Sequence, residues 1–190
     1  MLACRGRTMA NKTKAPMTKE EFERLFDAKV GEPLSQLGFQ RSGKSLYADA
    51  NLASVSLIRL GGRMARSGAI SHVVCCRMSF MRDRTERIPE GFVPDPFDYP
   101  FKFLPTRLSA NLQYVPQNLR YDRELLEFQA RRNALVQQDL EKLTSSIVER
   151  VQPWAASLAA DAVKNELLTL GENAWCERMW IEDCENYLNR

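Results

Sequence analysis

Apolar residues recur at helical spacing early in the chain: Phe22, Leu25, Phe26, Val30, Leu34 and Leu37 fall on one face. Thr18, with Glu21 three residues on, has the pattern of a capping box, so a helix is expected to start there. Pro33 interrupts the stripe and predicts a kink or break near Gly31-Glu32. The pattern stops at Gly38, which can supply a left-handed cap, with Phe39 closing back on the last turn. Beyond it the period becomes that of strands. Residues 39–49 read as one strand, Ala53–Leu60 as a second and Ala69–Met81 as a third, with Gly61-Gly62 through Gly68 as a loop. The turn signals between these runs favour an antiparallel meander.

Residues 82–107 break both periods. They hold five of the nine prolines (89, 94, 96, 100 and 105), interleaved with Phe92, Phe97, Tyr99, Phe101 and Phe103. A connection this long in a compact domain is either functional or packed down by its own side chains. The rings therefore staple the loop onto the sheet or a helix, or they form a recognition loop or lid. Arg107–Val115 reads as a fourth strand, ending at Pro116.

The remainder is helical in pattern. A long amphipathic run extends from Asp122 to Val151, with Leu125, Leu126, Val136, Leu140, Leu143, Ile147 and Val151 on one face, and Pro153 is expected to stop it. A segment over 161–170 precedes a last helix over about 172–188. Cys176, Met179, Trp180, Ile181, Cys184, Tyr187 and Leu188 form its apolar arc, while Glu182, Asp183 and Glu185 are expected on a solvated face. The expected fold class is α+β, an antiparallel sheet of about four strands packed against N-terminal and C-terminal helices. It would occupy residues 18–190 as one domain behind a flexible basic leader, 1–17.

Composition narrows the class. A chain of 190 residues, 44% hydrophobic and 27% charged, suits a single soluble domain with a proper core. No apolar run approaches the roughly 20 residues of a membrane span. The start, MLACRGRTMANK, mimics a lipoprotein site at Leu-Ala-Cys but lacks the apolar stretch of a secretion signal, so a cytoplasmic location is expected. Met9 is a second candidate start. The five cysteines are odd in number and too sparse for a disulfide framework. Cys75 and Cys76 are adjacent in a strand and point to opposite faces. His72 is the only histidine and no CxxC accompanies it, so no metal and no cofactor is expected.

Charge changes the picture in two places. The net charge is +3, yet five basic residues and no acidic ones precede Glu20, leaving −2 for the rest. Such a leader is a disordered tail or a nucleic-acid arm. Between Arg59 and Arg87 stand seven arginines (59, 63, 66, 77, 82, 84 and 87) against only Asp83 and Glu86. The planar guanidinium fork matches carboxylates and phosphates bidentately. Arg59, Arg63, Arg66 and Arg77, with Phe97, Tyr99 and Phe101, are thus the candidate recognition surface. The plainer reading leaves the arginines solvated on an exposed sheet face.

Catalytic patterns are sparse. A Ser-His-Asp arrangement would depend wholly on His72, and the sequence has no nucleophile elbow, Walker loop or dinucleotide glycine pattern.

Several residues together resemble a bacterial family catalogued as domain of unknown function 4304. They are Pro33-Leu34 in the opening helix, Leu37-Gly38-Phe39, Arg41, Lys44 and Tyr47, the strand Val55–Leu60, and Val151-Gln152-Pro153-Trp154 near the other end. Where that family often carries a glutamine-bearing strand, this chain has Ser56-Leu57-Ile58-Arg59. The resemblance implies an α+β fold and no assigned activity, so it transfers no catalytic residue.

The leading functional expectation is a non-enzymatic binding module recognising a protein partner or an anionic ligand. Two other classes stand beside it. One is nucleic-acid binding through the leader and the arginine-rich sheet. The other is a hydrolase or nuclease using carboxylates that converge near a basic group.

Overall fold

The computed structural model describes residues 17–61, 68–108, 133–169 and 175–190. The fold is α+β: five antiparallel strands in the order β1-β2-β3-β4-β5, with helices from both ends of the chain. The strands are β1 (Gln40–Ser42), β2 (Ser45–Ala50), β3 (Ala53–Arg59), β4 (His72–Met78) and β5 (Phe101–Phe103). Each strand pairs with the next one in sequence, a meander.

Helix α1 (Lys19–Phe26) begins as its sequence predicts. Thr18 Oγ1 accepts from the Glu21 amide at 3.1 Å and the Glu21 carboxylate accepts from the Thr18 amide at 2.8 Å. No break occurs at Gly31-Glu32. Instead the helix widens into a π turn over Asp27–Gly31 and continues as α2 (Glu32–Gln36), with Pro33 in its first turn. Pro33 has no amide to offer the Lys29 carbonyl four residues back. Thr144 Oγ1 donates to that carbonyl instead, at 2.7 Å. The helix ends in a Schellman pair: the Gly38 amide donates to Ser35 O and the Phe39 amide to Leu34 O, both at 3.1 Å. Gly38 has φ +91°, as the cap requires.

The same device recurs at the other end. Helix α3 (Asn133–Ser146) runs through a π turn at Ile147–Val151 into α4 (Gln152–Ala156). Pro153 therefore does not stop the helix; it sits in the first turn after the widened one, and the helix ends at Ala156. Helices α5 (Ala160–Thr169) and α6 (Trp175–Leu188) complete the fold.

Two expected strands need correction. The run 39–49 is a hairpin, because Gly43 (φ +57°) and Lys44 turn the chain between Ser42 and Ser45. The strand beside β4 is β5, drawn from inside the proline-rich stretch. Of the expected fourth strand, Arg107 closes a 3-10 turn (Pro105–Arg107), while 109–115 lie outside the described residues, as do Leu125 and Leu126.

The sheet is covered on both faces. One face, with Leu46, Val55, Leu57, Val74, Cys76, Phe101 and Phe103, shares the main core with Phe22, Phe26, Val30, Leu34, Leu140, Ile147 and Trp180. The other carries Ile58, Val73 and Cys75, which pack against Val93, Tyr99 and Leu104 of the proline-rich stretch. Within residues 82–107, the part from Phe92 to Leu104 is stapled to the sheet. Tyr99 is the pin: its hydroxyl shares a hydrogen bond with Ser56 Oγ at 2.9 Å and donates to Val93 O at 2.8 Å.

Candidate functional site

Four arginines of the arginine-rich stretch, Arg59, Arg77, Arg82 and Arg84, are engaged in contacts within the protein. Arg59, at the end of β3, is paired with the Glu23 carboxylate of α1, which also accepts from Lys44 Nζ at 2.7 Å. These two cations hold the Glu23 carboxyl below the ordinary range against a burial effect that raises it. Arg77 is buried on β4, donates to the Met81 carbonyl and leaves its Nε without a partner. Burial lowers its pKa. Arg84 binds Asp98 Oδ1 through Nε at 2.9 Å, pairs with Asp95, and lies 5.9 Å from the Phe97 ring centre.

Arg82 is held most completely. Its Nε donates to Asp183 Oδ1 at 2.6 Å, and its Nη2 to Glu182 Oε2 at 2.6 Å and to Met179 O at 3.3 Å. Its amide donates to Asp183 Oδ2 at 2.8 Å, and its carbonyl accepts from Trp180 Nε1 at 3.0 Å. The amide, carbonyl, Nε and Nη2 of one residue are thus gripped by one face of α6. Asp183 is consequently buried, not solvated as its residue type suggested. It lies three residues after Trp180 and four before Tyr187, so it shares their helical face.

The five described members of the seven sequence candidates do not come together as a surface. Tyr99 and Phe101 are core residues on opposite sides of the sheet. Phe101 meets Trp154 edge to face, with ring centres 5.3 Å apart. Arg77 is buried, Arg59 is tied to Glu23, and Phe97 is half-buried beneath Arg84. Arg63 and Arg66 lie outside the described residues. For Arg77, Tyr99 and Phe101 the physical reason is shared: the sheet is covered where they lie, which leaves them no solvent to face.

A different surface feature emerges where the segment after β4 meets the end of α6. Phe80 stacks on Tyr187, with ring centres 4.3 Å apart and planes 13° apart. With Arg82, Ile88, Asp183, Asn186 and Arg190 they line a cleft of about 220 Å³. Ile88 is 53% exposed on its rim. The wall carrying Ile88 is pre-formed: Asp83 Oδ1 accepts from the Thr85 amide and hydroxyl and from the Arg87 amide. Sequence reasoning missed this cleft. Tyr187 was visible only as one member of an apolar arc, and no spacing links residue 80 to residue 187.

The remaining polar chemistry is quiet. Cys75, Cys76, Cys176 and Cys184 are free and buried, and burial raises all four thiols, the last two to about 11. His72 is stacked on Phe26 at 4.4 Å in the main core. Burial, aided by the Arg59 charge, pulls its pKa down to about 3. Among the described residues no three His, Cys, Asp or Glu side chains converge on a point that could hold a metal ion. The carboxylates that do converge, Asp95 with Asp98 and Glu182 with Asp183, already accept hydrogen bonds from arginine. No helix among the described residues is long and apolar enough to cross a membrane.

No family model, curated protein or solved structure matches the chain.

Proposed function

We propose that this chain is a non-enzymatic binding module that recognises a protein partner through the cleft between residues 80–88 and the end of α6. One observation carries the reading: a stacked Phe80–Tyr187 pair and an exposed Ile88 form an apolar rim at the surface. Stacked aromatics beside an arginine and an amide are the composition of interface anchors. At about 220 Å³ the cleft is smaller than most small-molecule sites, which span roughly 300–1,000 Å³, and suits one or two side chains of a partner. The anionic-ligand and nucleic-acid readings draw less support, since Arg59, Arg77, Arg82 and Arg84 are engaged internally. The hydrolase reading needs carboxylates with lone pairs to spare, and the converging ones are bound to arginine. A cytoplasmic location suits four buried, unpaired thiols.

The test is affinity capture from the cells that make the protein, with and without nuclease, run beside an Ile88→Asp variant. The proposal expects a stoichiometric protein that survives nuclease and is lost with Ile88→Asp, while the variant's unfolding midpoint stays put. Loss of all bound material with nuclease puts nucleic acid first. A partner held equally by the variant removes the cleft.

A further inference from the structure

We draw no further inference here: the strongest candidate, the cleft walled by Phe80, Ile88 and Tyr187, belongs to the site already described, and with Arg82 already answered by Asp183 and Glu182 nothing in the structure shows what covers it.

Discussion

Replacing Arg82 with alanine tests whether one side chain fastens α6 to the sheet. The substitution removes the Nε bond to Asp183, the Nη2 bonds to Glu182 and Met179 O, and the packing of the stem, but keeps the backbone bonds to Asp183 and from Trp180. The Glu182 partner is 64% exposed, so that pair is worth only about 0.2–1 kcal/mol. The Asp183 side chain is 7% exposed, so its carboxylate would be left largely buried with only the amide of residue 82. Stranding a fully buried charge costs about 3–5 kcal/mol. Arg82 is itself 25% exposed, which lets water reach the vacated space and lowers that figure. The expected total is about 2–3 kcal/mol, measured by urea unfolding. For a chain this size that corresponds to a Tm lowered by about 4–12 °C. Arg82→Lys restores the charge without the planar fork and should fall between alanine and wild type. Arg87→Ala, on an exposed residue, should stay within about 0.5 kcal/mol. If Arg82→Ala costs no more than Arg87→Ala, the grip on α6 is not a fastening and the reasoning fails.

Two further predictions concern single positions. Gly68 has φ +70°, and a Cβ there would stand 2.3 Å from the Met17 carbonyl oxygen, so Gly68→Ala should cost at least about 1–3 kcal/mol in urea unfolding; a neutral substitution would refute the close approach. His72 is neutral when folded, with its pKa depressed to about 3 against about 6.5 unfolded, so its contribution is whole above pH 6.5 and lost as pH falls toward 3. Between pH 6.5 and 5 that loss reaches about 2 kcal/mol. Glu23, the carboxylate facing His72, is held low and stays ionised in this window. A His72→Phe variant should flatten the pH slope, and an unchanged slope would place its origin elsewhere.

What the sequence discloses and what it hides follow from the range of the interactions. The capping box at Thr18 and the glycine cap at Gly38 are set by neighbours three to five residues away, and both are realised. The stripe Phe22, Phe26, Val30 and Leu34 is buried throughout, because a single helix face decides it; Leu37, past the last turn, is 52% exposed. Pro33 marks where the first helix departs from regular geometry, as a π turn over Asp27–Gly31 and not a break, whereas Pro153, expected to stop its helix, follows a π turn and is carried within it. Strand β5 is three residues among prolines, and only its pairing with Val74–Cys76 makes it a strand. That pairing also explains a buried lysine: with Phe101 and Phe103 facing the main core, Lys102 must point to the other face. There its Nζ donates to Tyr99 O at 2.8 Å, and burial lowers its pKa. The arginines were legible as a cluster, but their carboxylate partners stand 11 to 101 residues away. Without those distant partners, a cluster of guanidinium groups in the sequence reads as a surface.

The central claim is that the arginine-rich stretch is architecture, and arginine-selective labelling tests it directly. The native protein would be treated briefly with phenylglyoxal, digested, and each arginine's modification rate read by mass spectrometry against the unfolded chain. Arg87 and Arg190, exposed and without a carboxylate partner among the described residues, should react first. Arg59, Arg77 and Arg82 should be protected by at least tenfold, Arg77 most strongly because it is 3% exposed; about tenfold corresponds to only 1.4 kcal/mol of protection. Labelling of Arg77 and Arg82 as fast as Arg87 would contradict the account and return those arginines to the surface.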